Sequence, residues 1–238
     1  MKRSHLKSQN FIRRPQLVKT LVGHSNLKKS DTVYDIGAGS GIISFVLAQS
    51  CQKVIAIESD TRMIKTLTDN LADFPNVDIV NGDFLQLPTP TGHYKVFANI
   101  PFHLSSPILR KLTESDNPPN STYLIVQKQF AKKLIIGEGT AFTGLLGAMV
   151  APRFQTRIRY KLERTDFLPH PAVDTAMIEL LLRDTPLLAA HTMDAYRAFV
   201  ELCFSRQKYF ATIMNGDKRP SQLTAEEWVS LFQSVNKK

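Results

Sequence analysis

Short apolar runs alternate with longer amphipathic stretches from Thr32 to Leu182. Continuous apolar runs are typical of strands buried on both faces of a parallel sheet, and apolar residues three or four positions apart are typical of helices. The segment that begins at Arg153 instead alternates charged and apolar residues, which predicts a half-buried strand with Arg157, Arg159 and Lys161 on one face. The other predicted strands are Thr32–Ile36, Lys53–Ile57, Val77–Val80, Tyr94–Ala98, Thr122–Val126 and Thr175–Leu182.

The amphipathic stretches predict helices between these strands, so we expect an α/β fold with seven strands in a mostly parallel sheet. The predicted helices are Pro15–Val22, Ile42–Gln49, a helix through Leu71 capped by Asp60, Leu104–Leu112, Gln127–Ile135 and Ala141–Val150. After Thr185-Pro186 only helical patterns follow, at Met193–Phe204 and Glu226–Val235. We therefore expect a main domain over residues 1–183 and a small helical domain over residues 184–238.

A glycine-rich turn follows the first buried strand, in the sequence Asp35-Ile36-Gly37-Ala38-Gly39-Ser40-Gly41. Glycine at a strand-to-helix elbow permits a tight turn and lets the backbone approach a ligand closely. A dinucleotide-binding turn spaces its last glycine further on, so this spacing suits a ligand without a pyrophosphate. S-adenosylmethionine is such a ligand, and its amino-acid part is expected near Asp35 and the amides of the turn. A plain tight turn is the alternative.

Two acidic residues near later strand ends extend this interpretation. Glu58 ends the next strand, about 20 residues after the first glycine, where a carboxylate can accept two ribose hydroxyls. Asp83 lies in the turn Asn81-Gly82-Asp83-Phe84, where it can accept the exocyclic amine of an adenine while Phe84 packs near the ring. The alternative for Asn-Gly-Asp is an ordinary turn. Together with the glycines, these residues predict a nucleoside cofactor.

The fourth strand runs into Asn99-Ile100-Pro101-Phe102, at the edge where open parallel sheets bind their ligands. The N6 amine of adenine is a poor nucleophile because its lone pair is conjugated with the ring. Hydrogen bonds from that amine to the Asn99 side-chain oxygen and to a backbone carbonyl favour a more tetrahedral nitrogen. Pro101 stiffens the turn, and Phe102 offers a face on which a flipped base can stack. The alternative is a strand-end turn with a core phenylalanine.

Phe167 is a second aromatic candidate for the same site. It begins the segment Phe167-Leu168-Pro169-His170-Pro171, which is too rich in proline for regular structure and is predicted to form a stiff loop. We expect Phe167 to project from this loop into the site.

The formal net charge of +9 favours a polyanionic partner such as nucleic acid, although a basic, well-solvated surface gives the same value. Residues 1–30 contain no acidic residue, which is typical of a mitochondrial transit peptide and also of a basic arm. The polar cluster Ser8-Gln9-Asn10-Phe11 favours the functional arm. We expect the helical domain to clamp structured RNA or DNA, because it stays basic through Arg206, Lys208, Lys218 and Arg219.

Cysteine content and hydropathy limit the class of protein. Cys51 and Cys203 lie far apart, which argues against a disulfide framework and a zinc site and fits a reducing compartment. The apolar runs are too short to span a membrane, and the basic N-terminus is not followed by the apolar region of a secretory signal. No heptads suggest a coiled coil. We therefore expect a soluble, cytoplasmic monomer that needs no metal.

These motifs together resemble the rRNA adenine N6-methyltransferases, and their spacing matches over nearly the whole chain. The residues that carry the resemblance are Ser8-Gln9-Asn10-Phe11, Asp35-Ile36-Gly37-Ala38-Gly39-Ser40-Gly41, Glu58, Gly82-Asp83-Phe84, Asn99-Ile100-Pro101-Phe102, Val126-Gln127-Lys128 and Phe167-x-Pro-x-Pro-x-Val173-Asp174. The chain length, the short helical tail and the segment from Leu124 to Lys133 look most like the erythromycin-resistance (Erm) group. Members of that group act on one adenosine of the large-subunit 23S rRNA.

The resemblance implies a Rossmann-like class I methyltransferase fold, S-adenosylmethionine as methyl donor, Asn99 as the holder of the target amine, and stacking of the flipped adenine on Phe102 and Phe167. The family often has Tyr where Phe102 stands, so a phenol hydrogen bond is unavailable while stacking survives. Gln129 stands where the small-subunit relatives typically have Glu, which weakens that assignment. The candidate cofactor-binding residues are Gln9, Asn10, Gly37, Ala38, Gly39, Glu58, Ser59, Asp83, Phe84 and Asn99, and the candidate catalytic residues are Asn99, Ile100, Pro101, Phe102 and Phe167.

We therefore predict an enzyme that methylates N6 of a specific adenosine in 23S rRNA before the ribosome is fully assembled, and so confers macrolide-type antibiotic resistance. In-line attack by N6 on the sulfonium methyl carbon needs proximity, orientation and a polarised amine. The nearest alternative is a small-subunit (16S-type) dimethyladenosine transferase of ribosome biogenesis. A non-catalytic nucleic-acid-binding relative is the alternative of another class, and the intact Asn99 motif and glycine turn argue against it.

Overall fold

The structure is a computed structural model that describes residues 10–137, 143–214 and 216–236. The strands in these ranges are β1 (Phe11–Ile12), β2 (Thr32–Ile36), β3 (Lys53–Glu58), β4 (Val77–Asn81), β5 (Lys95–Asn99), β6 (Ser121–Gln127), β7 (Phe154–Leu162), β8 (Phe167–Leu168) and β9 (Thr175–Leu182). The helices are α1 (Pro15–Gly23), α2 (Ile42–Ser50), α3 (Thr61–Leu71), α4 (Ser105–Glu114), α5 (Lys128–Leu134), α6 (Leu145–Val150), α7 (Met193–Ser205), α8 (Gln207–Met214) and α9 (Ala225–Asn236).

Seven strands form one sheet in the order β4-β3-β2-β5-β6-β9-β7, which confirms the predicted Rossmann-like α/β fold. Pairing is parallel from β4 through β3, β2 and β5 to β6. From β2 the chain runs outward through β3 to β4 and then returns to place β5 on the other side of β2. The carboxyl ends of β2 and β5 therefore flank a topological switch point, where open α/β sheets bind their ligands.

The burial of the strands follows the pattern of apolar residues. β6 and β9 are buried on both faces along nearly their whole length, as continuous apolar runs predict. β7 alternates, with Arg157, Arg159 and Lys161 exposed and the residues between them partly buried. The helix predicted after Asp60 is also confirmed, since the Asp60 side chain accepts a hydrogen bond from the N–H of Arg62 at 3.0 Å.

Several elements differ from the sequence prediction. Phe167–Leu168 form a short strand that pairs antiparallel with β1, although the prolines that follow predicted an irregular loop throughout. Two residues ahead of Pro169 are enough for this pairing, and their partner lies too far away in the sequence to be inferred. α8 was not predicted, and the helix predicted over Ala141–Val150 begins at Leu145 in the part of the chain that the structure describes.

The chain divides into two compact units, of which the first comprises Met1–Lys128 with Ile158–Glu179 and the second Gln129–Arg157 with Leu180–Lys238. In the second unit, the fully buried Trp228 packs among Phe199, Phe204 and Phe210. The functional division into residues 1–183 and 184–238 stays a prediction. None of the described helices has both the length and the apolar character that crossing a membrane requires.

Candidate active site

A pocket in the first compact unit opens at the carboxyl ends of β2, β3, β4 and β5. The glycine turn and the motif after β5 meet there because β2 and β5 are neighbours in the sheet. Gly39 and Phe167 are not among the residues that line the pocket, and Gln9 lies outside the described residues. The candidate residues that do line it are Asn10, Gly37, Ala38, Glu58, Ser59, Asp83, Phe84, Asn99, Ile100, Pro101 and Phe102.

The glycine turn takes a backbone shape that side chains disfavour. Gly37, Gly39 and Gly41 have φ angles of 76°, 57° and 90°, in the left-handed region. A Cβ atom on Gly39 would lie 3.0 Å from Cε1 of Phe11, whose side chain forms part of the pocket wall. Gly39 therefore leaves room for the Phe11 ring in the pocket wall, although Gly39 itself does not line the pocket.

The amides of Gly37, Ala38 and Gly39 are bonded within the protein, which corrects the expectation that the turn holds a ligand through these three groups. The N–H groups of Gly37 and Ala38 donate to the Ile57 carbonyl at 2.8 and 2.9 Å. The N–H of Gly39 donates to Oε2 of Glu58 at 2.8 Å. These hydrogen bonds tie the turn after β2 to the end of β3, so these three residues shape the pocket and do not offer free donors to a ligand.

The side chain of Asp35 is directed toward α2. Its carboxyl group is fully buried against α2, where Oδ2 accepts a 2.6 Å hydrogen bond from the Ser44 hydroxyl. Oδ1 has no hydrogen-bond partner among the described residues. Burial raises the pKa of Asp35 to about 7, although hydrogen bonds from the side chain and backbone of Ser44 oppose the shift. Asp35 therefore anchors the first turn of α2 and is not among the residues that line the pocket, and its expected closeness to the amino-acid part of a ligand stays a prediction.

Glu58 is held rigidly at the pocket wall. The residue is 3% exposed, Oε2 accepts from the N–H of Gly39, and Oε1 accepts a 2.8 Å hydrogen bond from the N–H of Asp60. A carboxylate oxygen can accept two hydrogen bonds, so each oxygen of Glu58 keeps one free position. This arrangement suits a pair of neighbouring hydroxyls such as those of a ribose.

Asp83 and Phe84 form the wall that follows β4. Oδ1 of Asp83 accepts a 2.9 Å hydrogen bond from the N–H of Leu85, so Oδ2 is the acceptor available to a ligand amine. Phe84 is nearly fully buried and presents an apolar surface beside it. A carboxylate next to an aromatic ring is suited to an adenine, which has both an exocyclic amine and an apolar face.

Asn99 ends β5 and turns its side chain toward the N-terminal segment. Its Nδ2 donates a 2.7 Å hydrogen bond to the backbone carbonyl of Asn10. The side-chain carbonyl Oδ1 receives no hydrogen bond from the described residues, and it can accept one from a substrate amine. Pro101 packs near the glycine turn, and Phe102 is half-buried at the start of a short 3-10 turn.

Phe167 does not project into the pocket. It is fully buried in the hydrophobic core with Ile12 and Leu162, and it pairs with Ile12 through the backbone of β8 and β1. The predicted stacking of a flipped adenine on Phe167 is contradicted by this burial. Alternation along the strand directs the next residue outward, and Leu168 is 54% exposed.

Several residues that line the pocket, most of them apolar, were not predicted. Their common signal is position, since most follow or end a strand or lie on the first turn of a helix. Phe11 belonged to a quoted motif, but its contact with the glycine turn depends on the pairing of β1 with the distant β8. The unpredicted lining residues are Phe11, Ile12, Ile36, Ser40, Ile42, Ile43, Ile57, Gly82, Leu104 and Ile108.

The residues present fit an adenosyl cofactor. Glu58 offers two acceptor positions, the Asp83 turn offers a third, and Ile36 and Ile57 give the pocket an apolar floor. Within the described residues, His, Cys, Asp and Glu form no group of three or more that could hold a metal ion. The pocket thus combines an apolar lining with the carboxylate acceptors of Glu58 and Asp83 at the end of the sheet.

Residues 2–226 match the family described as ribosomal RNA adenine dimethylase. The chain belongs to this family. It is accordingly an S-adenosylmethionine-dependent rRNA adenine methyltransferase, which confirms the resemblance based on the motifs and the predicted cofactor. Its partner is ribosomal RNA.

Relatives with this chemistry cover most of the chain. The ribosomal RNA small subunit methyltransferase A of Alkaliphilus oremlandii is 28% identical over 215 residues, covering 87% of this chain and 74% of the relative. The protein of the same name from Streptococcus equi subsp. zooepidemicus is 32% identical over 197 residues, covering 79% of this chain and 68% of the relative. The crystal structure of the 23S rRNA methyltransferase ErmE superposes with a TM-score of 0.80 and 26% identity, over 95% of this chain and all of that one.

A dimethyladenosine transferase from Plasmodium falciparum has the same fold. It superposes with a TM-score of 0.80 at 22% sequence identity, over 95% of this chain and 98% of the other. The fold is thus shared by proteins named for large-subunit rRNA and for dimethyladenosine formation, and it does not by itself choose the rRNA.

Proposed function

We propose that this enzyme methylates N6 of one adenosine in 23S rRNA and so confers macrolide-type antibiotic resistance. The supporting observation is the likeness to the 23S rRNA methyltransferase ErmE, which superposes with a TM-score of 0.80 at 26% identity. The segment β6–α5, with Gln129 after Lys128, also looks most like the Erm group. The names of the small-subunit relatives favour a second candidate, methylation of 16S rRNA in ribosome biogenesis.

In the proposed site, Glu58 accepts the two ribose hydroxyls of the cofactor, and Asp83 accepts the N6 amine of its adenine beside Phe84. Both carboxylates are held by backbone N–H groups, so they are oriented before the cofactor arrives. S-adenosylmethionine supplies a methyl carbon that its positively charged sulfur has already activated. The protein therefore has to bind and orient the two reactants, and no metal is needed.

Asn99 holds the target adenosine in this proposal. Its Oδ1 accepts a hydrogen bond from the target N6 amine, which draws the nitrogen lone pair out of conjugation with the ring. Phe102 stacks on the base after the base has left the RNA stack, and Pro101 stiffens the turn between them. The proton lost from N6 after attack passes to water, because the amine is acidic once it carries a fourth substituent.

In this proposal, the basic residues 1–30 and residues 184–238 bind the phosphates of the RNA. The formal charge of +9 supports electrostatic binding, so RNA affinity should fall steeply with salt concentration. We further propose that the enzyme acts as a monomer in the cytoplasm, on rRNA that is not yet fully assembled into ribosomes.

Labelled S-adenosylmethionine tests the choice of rRNA. The protein is incubated separately with protein-free 23S rRNA and 16S rRNA, and the label is mapped to single nucleotides. We expect label on N6 of one adenosine of 23S rRNA. Label confined to 16S adenosines would replace the first candidate with the second, and no label on either RNA would contradict both.

A further inference from the structure

Lys111 lies on α4 with its ammonium group against the turn that follows β4. Nζ donates hydrogen bonds to the carbonyls of Phe84 at 2.6 Å and Leu85 at 3.1 Å, and to the carbonyl of Leu87. An ammonium group has three N–H donors, so all three are used by backbone carbonyls of one turn. Nζ also lies 5.0 Å from the centroid of the Phe84 ring, within the range of a cation–π interaction.

Asp83 accepts hydrogen bonds from the backbone N–H groups of the same turn. Its Oδ1 accepts from the N–H of Leu85, and its backbone carbonyl accepts from the N–H groups of Gln86 and Leu87 at 2.9 and 3.1 Å. The turn is thus fixed from both sides, with its carbonyls on Lys111 and its amides on Asp83. Burial lowers the pKa of Lys111, and the charge of Asp83 opposes that shift, so the two side chains also interact electrostatically.

We propose that Lys111 is a positioning residue that holds Asp83 and Phe84 in place for recognition of the cofactor's adenine. This proposal rests on the proposed contact between Asp83 and the N6 amine of the cofactor. Lys111 acts through the turn, because its ammonium group is consumed by the three carbonyls. A compact ammonium suits this task, since a planar guanidinium is built to match planar acceptors and a thioether donates no hydrogen bond.

Calorimetric titration of two cofactor analogues tests the proposal without RNA. The ligands are S-adenosylhomocysteine and S-inosylhomocysteine, in which an oxygen replaces the N6 amine. A site built to bond an amine rejects an analogue that lacks it, so we expect the unmodified protein to prefer the adenosyl compound by at least about tenfold. Lys111→Met should reduce that preference by about tenfold, the equivalent of one lost hydrogen bond of about 1.4 kcal/mol.

Lys65→Met is the matched control, since it removes the same charge from a side chain that is 88% exposed. Its preference should equal that of the unmodified protein. If Lys111→Met does not fold, Lys111→Gln replaces it in the titration, because the glutamine side-chain amide can still donate to carbonyls of the turn. The glutamine variant should also lose preference, since it lacks the charge and the third donor.

A uniform loss would overturn the proposal: if Lys111→Met weakens both compounds equally, or lowers only thermal stability, Lys111 has a purely structural role. If the unmodified protein does not distinguish the two compounds, the Asp83 contact fails and the role of Lys111 fails with it. Neither outcome bears on which rRNA is methylated, because no RNA is present. The result of the labelling experiment is therefore independent of the result of this titration.

Discussion

The side-chain amide of Asn99 donates a 2.7 Å hydrogen bond to the backbone carbonyl of Asn10, which lies 89 positions earlier in the chain. This hydrogen bond distinguishes the two ends of the amide. Nδ2 is directed to the N-terminal segment, and Oδ1 remains as the acceptor for a target amine. The N-terminal segment thus helps to orient the residue on which the proposed methyl transfer depends.

Asn99→Ala should lower kcat by about 100-fold or more, since it removes the acceptor that polarises the target amine. Binding of S-adenosylhomocysteine should change by less than about threefold, because Glu58 and Asp83 remain. Single-turnover methylation and calorimetry measure the two effects. Asn76→Ala is the control, since Nδ2 of Asn76 also donates to backbone carbonyls, those of Ala48 and Cys51, away from the pocket. An Asn99→Ala enzyme that turns over normally would rule out the amine-holding role.

Phe102→Ala should lower kcat/KM for RNA by roughly 5- to 150-fold, the equivalent of about 1–3 kcal/mol of base stacking. Phe102→Tyr should be tolerated, because the stacking face is retained. The measurement is the rate of methylation of the mapped rRNA fragment at limiting RNA concentration. Unchanged turnover in the alanine variant would show that the half-buried ring of Phe102 only packs against its neighbours.

Gly39→Ala should weaken binding of S-adenosylhomocysteine, because the added Cβ would lie 3.0 Å from the ring of Phe11 in the pocket wall. Gly92→Ala separates this effect from backbone strain. Gly92 has a similar φ of 71°, and a Cβ there meets nothing within 4 Å. Both variants should lose about 1–2 kcal/mol of unfolding free energy from the left-handed conformation, and only Gly39→Ala should lose affinity. Equal affinities of the two variants in calorimetry would contradict the role given to Gly39.

Asp35→Asn should make stability less sensitive to pH between pH 5 and 8. Burial raises the pKa of Asp35 to about 7, so the folded protein holds a proton that the unfolded chain has lost above its ordinary pKa. The stabilisation that this proton gives is complete below pH 4 and is lost as pH rises to 7. Between pH 5 and 8 the unfolding free energy of the unmodified protein should fall by about 2.5 kcal/mol relative to the variant.

Urea unfolding at a series of pH values measures this difference. The variant keeps an acceptor for the Ser44 hydroxyl, so any constant change in stability cancels from the comparison. Parallel pH profiles for the two proteins would show that Asp35 is ionised in the fold throughout this range.

The positions of residues at strand ends could be predicted from the sequence. The direction in which a side chain points could not be predicted when it depends on how helices pack on the sheet. Glu58 and Asn99 end β3 and β5, and parallel strands must deliver their carboxyl ends to one edge of the sheet. Asp35 is one residue from the end of β2, and only the packing of α2 decides that its carboxyl group faces Ser44.

Long-range partners explain the remaining differences. The antiparallel pair of β1 and β8 buries Phe167 and brings Phe11 to the pocket. Each of these strands has only two residues, so the sequence of one does not identify the other as its pairing partner. Lys111 contacts a turn 24 to 27 positions earlier in the chain. The amphipathic pattern of α4 indicates only that this position is polar. The sequence therefore predicts which motifs meet, and the tertiary packing decides which side chains within them face the ligand.

The order of the central strands separates the two halves of the reaction. β2, β3 and β4 end in the residues assigned to the methyl donor, while β5 alone delivers Asn99, Pro101 and Phe102 for the acceptor. Each half is therefore a contiguous block of sequence, and the two blocks meet both at the ladder between β2 and β5 and where Lys111 of α4 donates to the turn after β4. For protein engineering, redesign of acceptor preference is therefore best confined to the motif Asn99 to Phe102, because α4 also holds the donor pocket through Lys111.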